Sequence, residues 1–209
     1  MKRSISGLYA ITPDTENTPA LLQKVEAALS GGARLLQYRN KTASASLRLT
    51  QGRALLALCE KFQVPLIIND HLELALALDA HLHVGGEDGS ASEARRQLGP
   101  DKILGVSCYS RLDSAVTAVS AGATYVAFGG FYPSKVKPGA NARTSIKLLG
   151  EAKRLLDVPV VAIGGITLDN APALVAAGAD SVAVITALFE APEIRDAARS
   201  FDKLFPRKS

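Results

Sequence analysis

Short apolar runs alternate along the whole chain with longer segments whose apolar positions recur at helical spacing. The runs predict strands over Leu8–Thr12, Ala33–Arg39, Pro65–Asn69, Leu82–Val84, Ile103–Ser107, Tyr125–Gly129, Pro159–Gly164 and Ser181–Ile185. The helical stretches that follow them cover Pro19–Leu29, Ser44–Phe62, Leu72–Leu78, Ser92–Leu98, Leu112–Ser120, Ile146–Leu156, Asn170–Ala176 and Ile194–Phe205. Strand runs that are apolar throughout, rather than on every second residue, are what a parallel sheet covered by helices requires.

The turn residues sharpen this reading. Gly31-Gly32-Ala33, Gly122-Ala123 and Gly178-Ala179-Asp180 each fall between a helix and the next strand, where a left-handed glycine ends a helix. Eight such units of about 26 residues, with no linker or low-complexity stretch, describe one (β/α)8 TIM barrel over residues 1–209, near the short end of its size range. The segment Phe131 to Arg143 is longer than βα connections usually are and is expected to be an active-site loop. A doubly wound open sheet is the alternative. It normally carries a glycine fingerprint after its first strand, and here Pro13-Asp14-Thr15 stands there.

Composition excludes several classes. Of 24 Lys and Arg against 20 Asp and Glu, four basic residues (Lys2, Arg3, Arg207 and Lys208) sit at the ends, so the body of the chain is balanced and no basic stripe is left for nucleic acid. Two distant cysteines, Cys59 and Cys108, support neither a disulfide scaffold nor a zinc site. No apolar run approaches a membrane span, and no signal peptide is expected. These features point to a cytoplasmic protein acting on small molecules, as a monomer or homo-oligomer.

In a barrel, residues at strand C-termini and in the loops after them share one pocket. Gln37, Arg39 and Lys41 are spaced by two, so from an extended strand end they can face the same way. An amide, a guanidinium fork and an ammonium suit a diphosphate, and Lys137 across the pocket reinforces an anion site. Asp70 and Asp88 follow neighbouring strands with no His or Cys of matching spacing, a set suited to a hard cation such as Mg²⁺. Asp70 could instead cap its helix, and Asp88 could be an ordinary loop residue. Gly164-Gly165 and Ile185-Thr186 close the last two strands, where barrels commonly bind a phosphate. The residues alone describe a Mg²⁺-dependent barrel with one diphosphate-bearing and one phosphate-bearing substrate.

Leu8-Tyr9-Ala10-Ile11-Thr12, Gln37-Tyr38-Arg39-Asn40-Lys41, Ile67-Ile68-Asn69-Asp70, His83-Val84-Gly85 with Asp88, Gly105-Val106-Ser107, Gly129 to Lys137, and Ala162-Ile163-Gly164-Gly165-Ile166 occur in an order that resembles the thiamine phosphate synthases. The resemblance implies a transferase that joins hydroxymethylpyrimidine diphosphate to thiazole phosphate through departure of diphosphate and capture of a pyrimidine-methyl cation. It implies that Gln37, Tyr38, Arg39, Asn40, Lys41, Asn69, Ser107 and Lys137 hold the pyrimidine diphosphate, with Arg39, Lys41, Ser107 and Lys137 acting on the leaving group. Asp70 and Asp88 would hold Mg²⁺. Ser134, Lys135 and Val136, with Gly165, Ile185 and Thr186, would hold the thiazole phosphate. The chain departs from the usual family residues at Gly86 (glutamine), His71 (arginine) and Val136 (threonine). Competing expectations are an isomerase of thiazole phosphate, an aldolase-type barrel with Lys41 or Lys137 as Schiff base, and a ligand sensor without turnover.

Overall fold

The computed structural model describes residues 5–85, 91–133 and 144–206. Eight strands, β1 (Gly7–Ile11), β2 (Leu35–Tyr38), β3 (Leu66–Asn69), β4 (His81–Val84), β5 (Leu104–Tyr109), β6 (Tyr125–Phe128), β7 (Val160–Ile163) and β8 (Ser181–Val184), pair in parallel in chain order. β8 pairs back to β1, so the sheet is a closed barrel. The helices are α1 (Thr18–Ser30), α2 (Ala45–Phe62), α3 (Leu72–Ala77), α4 (Ala91–Leu98), α5 (Leu112–Ser120), α6 (Lys147–Leu155), α7 (Ala171–Ala176), α8 (Thr186–Phe189) and α9 (Ile194–Asp202). The sequence pattern finds every strand and every helix except α8, whose four residues are too few to show a period.

Strand parity divides the core in two. Tyr9, Ile11, Leu35, Ile67, Ile103, Tyr125, Ala127, Val161 and Ala183 fill the barrel interior. Their neighbours, such as Leu8, Ala10, Leu36, Tyr38, Ile68, Leu82, Val106, Phe128 and Val182, pack outward against the helices. Successive strand residues face opposite sides. Both sides are covered here, which is why the runs read as continuously apolar.

Three of the αβ turns share one construction. Gly32, Gly122 and Gly178 have φ of 109°, 95° and 112°. Around them the backbone pairs as Ala33→Ala28 and Gly32→Leu29, Ala123→Ala118 and Gly122→Val119, Ala179→Leu174 and Gly178→Val175. This pair of hydrogen bonds satisfies two of the last helical carbonyls and turns the chain into the next strand. The closing seam has its own fastening: Arg34 Nε donates to Asp202 Oδ1 at 2.6 Å, and Arg34 Nη2 donates to the Phe205 carbonyl at 2.7 Å.

At that seam α1 and α9 touch through Gly31. A β-carbon there would stand 2.3 Å from the Arg195 carbonyl oxygen and 2.6 Å from the Ala198 methyl. Gly31→Ala is therefore expected to cost about 1–3 kcal/mol, the usual range for overpacking. Gly150→Ala, inside α6 with nothing nearer than 3.6 Å, should instead stabilise by about 0.5–1 kcal/mol through helix propensity. Thermal melts of the two variants against the parent check both signs; a Gly31→Ala protein as stable as the parent would show that the α1–α9 joint can give.

Candidate active site

The interior-facing parity of the strands carries their polar ends into one cavity of about 520 Å³ at the C-terminal mouth of the barrel. Gln37, Arg39, Lys41, Asn69, Asp70, Ser107, Gly165, Ile185 and Thr186 all line it. Residues from β2, β3 and β5 meet those after β7 and β8, although they are far apart in sequence.

The cationic wall is held by the end of β1. Buried Thr12 accepts from the Arg39 backbone N–H and donates to the Arg39 carbonyl, both at 2.9 Å. Asp14 accepts from Arg39 Nη1 at 3.1 and 3.2 Å and from the Lys41 backbone N–H at 2.9 Å. One edge of the guanidinium is thus committed to orienting the group. The sequence shows Asp14 only as part of the Pro13-Asp14-Thr15 turn; the signal that marks it is a carboxylate just after the first strand, a position that in a barrel faces the neighbouring strand's loop.

Asp70 does not cap α3. His71 occupies the N-cap position without a side-chain cap bond, and Asp70 sits at φ 62°. Its backbone N–H donates to the His83 carbonyl at 2.8 Å, while Oδ1 accepts from the Gly85 N–H at 3.2 Å and Oδ2 from Asn69 Nδ2 at 2.6 Å. A left-handed non-glycine residue tied to the neighbouring strand and lining a cavity is the kind of strained position found at functional sites. Asp88 lies outside the described residues. Among the described residues no cluster of three His, Cys, Asp or Glu side chains occurs. The donor chemistry fits a cation that prefers oxygen and retains waters, since Asp70 keeps carboxylate lone pairs beyond its two hydrogen bonds and faces the cavity.

Across the cavity floor runs a chain of hydrogen bonds that sequence spacing does not reveal. Gln37 Nε2 donates to Tyr9 Oη at 2.9 Å. Tyr9 Oη lies 2.8 Å from Tyr125 Oη, Tyr125 Oη 2.8 Å from His83 Nδ1, and His83 Nε2 2.8 Å from Ser107 Oγ. Five residues from five strands are linked. The His83 ring stacks on Tyr125 at 5.6 Å. Burial pushes His83 down to about 4, so the imidazole is neutral near pH 7, and burial raises both phenols above their usual range.

On the opposite side, Gly164 and Gly165 have φ of 105° and 62°. A β-carbon on Gly165 would stand 2.3 Å from the Pro133 carbonyl oxygen. The turn is fixed by Asn170, whose Nδ2 donates to the Gly165 carbonyl at 3.0 Å and whose Oδ1 accepts from Thr167 N–H at 2.9 Å. Ile185 and Thr186 face the same space at the start of α8. The loop after β6 is pinned at both described ends: Tyr132 N–H donates to Gly164 and Thr144 N–H to Gly130.

Two expected site residues are corrected. Tyr38 has the outward parity and is buried under α2, donating to Gln51 Oε1 at 2.7 Å. Asn40 is buried too, donating to the Thr15 carbonyl at 2.7 Å and to Gln51, and accepting from Thr42 and Ala43. Neither side chain lines the cavity; they brace the segment that presents Arg39 and Lys41. Ser134, Lys135, Val136 and Lys137, most of the expected loop, and Gly86 lie outside the described residues.

The chain matches the family model described as thiamine monophosphate synthase over residues 8–188. It is 56% identical over 202 residues to a thiamine-phosphate synthase of Nitrosomonas eutropha, covering 96% of this chain and 95% of that protein. A thiamine-phosphate synthase of Methylobacillus flagellatus is 54% identical over 202 residues, covering 96% of each. Among solved structures, a thiamine phosphate pyrophosphorylase from Pyrococcus furiosus superposes with a TM-score of 0.85 at 32% identity, over 97% of this chain and 96% of that one.

The floor of the cavity depends on a missing side chain. A β-carbon on Gly105 would stand 2.0 Å from Tyr125 Cζ, 2.2 Å from its hydroxyl and 2.5 Å from His83 Nδ1. Because both rings are enclosed, Gly105→Ala should cost about 3 kcal/mol or more, the upper end of overpacking. Denaturant unfolding measures this; a cost below about 1 kcal/mol would mean that the floor is not packed as described.

Proposed function

The chain belongs to the thiamine monophosphate synthase family, and from that premise we propose that it joins hydroxymethylpyrimidine diphosphate to thiazole phosphate, giving thiamine phosphate and diphosphate. The observation that carries this reading is the meeting in one cavity of a cationic wall (Arg39 and Lys41), the Asn69–Asp70 pair and the Gly165–Thr186 end. One substrate brings two phosphates and the other brings one, and the cavity offers chemically distinct walls for them. The isomerase reading needs only a single phosphate site and leaves the cationic wall without a task. The relatives named above are synthases, and the sensor and Schiff-base readings gain no support from them.

The bond that breaks joins the pyrimidine methylene carbon to the bridging oxygen of the diphosphate, and its electron pair leaves with the oxygen. Arg39 and Lys41 offset the charge that grows there, and Lys137 is assigned the same part. Fixed donors of this kind do not have to reorganise as charge develops. Gln37 and Asn69 orient the pyrimidine, and Ser107 contributes a hydroxyl at the leaving group. The thiazole nitrogen then supplies the electron pair for the new C–N bond. Its phosphate is held by Gly165, Ile185 and Thr186, together with Ser134, Lys135 and Val136. Asp70 with Asp88 would hold Mg²⁺, which supplies fixed positive charge to diphosphate oxygens when bound. The apolar Ile11, Ile163 and Ala183 in the same cavity limit access of water to the cation, whose capture by water would regenerate the pyrimidine alcohol. Among the described residues no helix is long and apolar enough to cross a membrane.

Thiamine phosphate formation and diphosphate release, followed with both substrates and Mg²⁺, test the reading directly. A chelator should abolish turnover and added Mg²⁺ should restore it. Asp70→Asn should lower turnover strongly, with partial rescue at raised Mg²⁺. Lys41→Ala should lower kcat by about 10²–10³-fold, as loss of a preorganised charge partner does. A rise confined to the KM of the diphosphate substrate would show that Lys41 binds ground and transition states alike.

A further inference from the structure

We propose that the buried chain Gln37–Tyr9–Tyr125–His83–Ser107 is a directional relay, in which the orientation of the Gln37 amide decides whether Ser107 presents a hydrogen-bond donor or an acceptor to the cavity. It rests on the synthase reading for its ligand, and on the geometry alone for its existence. Each hydroxyl has one proton to give. With Gln37 Nε2 donating to Tyr9, the Tyr9 proton goes to Tyr125, and the Tyr125 proton goes to His83 Nδ1. The neutral ring then carries its proton on Nε2 and donates it to Ser107 Oγ. The serine proton has nowhere to point along the chain, so it turns to the cavity that Ser107 lines.

The opposite order fits the same heavy atoms. If Gln37 Oε1 faces Tyr9, every donor reverses: Tyr9 gives to Gln37, Tyr125 to Tyr9, His83 Nδ1 to Tyr125, and Ser107 to His83 Nε2. Ser107 then offers only lone pairs. No member can turn alone, because that would set two protons against each other or leave a buried polar atom unpaired, and no buried polar side-chain atom among the described residues lacks a partner. Tyr9 and Tyr125, at the centre of the chain, are 1% and 0% exposed, so a link broken between them has little room for a compensating water.

Gln37 also lines the cavity, so a ligand selects the order. An exocyclic amino group, such as an aminopyrimidine carries, gives its proton to Gln37 Oε1, which aims Nε2 at Tyr9 and makes Ser107 a donor. A diphosphate oxygen accepts from that donor. Recognition of the base at β2 thus prepares the serine at β5 for the leaving group. Tyr9, Tyr125 and His83 are positioning residues here, acting through Gln37 and Ser107.

The proton on His83 is the readout, observed by long-range ¹H–¹⁵N correlation on protein labelled at its three histidines, with a His83→Gln protein to assign the signal. The probe is hydroxymethylpyrimidine together with inorganic diphosphate. We expect Nε2 protonated and Nδ1 bare in that complex. In Tyr125→Phe, which keeps the stacked ring, and in Tyr9→Phe, one hydroxyl and both its hydrogen bonds are lost and the chain is interrupted, so the two ring forms should mix. In each, kcat should fall by about 10–100-fold, as when an outer orienting partner is lost, while the KM for thiazole phosphate stays unchanged. The double variant should be no worse than the weaker single one, since a chain is broken only once. A proton on Nδ1 in the complex, a ring form that ignores both substitutions, or strictly additive losses would overturn the relay. The ring measurement needs no turnover, so failure to form thiamine phosphate would overturn the synthase reading while the relay is still read.

Discussion

A ring of eight parallel strands closes at a width that side chains just fill, and this single limit decides who reaches the active site. Every strand residue faces either the interior or the helices, and only the interior class can rise into the mouth. Gln37 and Tyr38 are adjacent in sequence, yet one borders the cavity and the other lies beneath α2. The limit also makes Gly105 a structural requirement, because Tyr125 and His83 together occupy the room a larger residue would need.

Within that frame, polar groups are not placed singly. Arg39 is oriented by Thr12 and Asp14 from the preceding strand's end, Asp70 by Asn69 and Gly85, and Ser107 through His83. Each of these three groups has a partner on, or just after, an adjacent strand. A parallel barrel supplies this arrangement readily, since neighbouring strand ends are side by side and their loops emerge together.

The barrel was legible because its signals are local. Apolar runs, helical periods and the glycines at 32, 122 and 178 each act over a few residues, and eight repetitions leave few other ways to arrange them. The pocket was partly legible for the same reason: strand ends name their own candidates, and Gln37, Arg39, Lys41, Asn69, Asp70 and Ser107 do converge. What the sequence hides is pairing between distant strands. Tyr9 and Tyr125 are separated by 116 positions, and nothing near either shows that their hydroxyls meet. Tyr38 and Asn40 err in the other direction, since membership of a contiguous motif says nothing about which way a side chain points. α8 escaped because four residues carry no period.

The fastening of Arg34 to Asp202 and to the Phe205 carbonyl has a consequence for biosynthesis. During translation the first strand emerges long before its partner β8 and the helix that locks them. Until roughly the last turn of α9 has left the ribosome, the nascent chain is an open sheet with two exposed edges, the situation that invites aggregation. The cavity draws walls from both the earliest and the latest strands, so it does not exist in any shorter nascent form. Ligand therefore cannot guide the early stages of folding; it can only act on a barrel that has already closed.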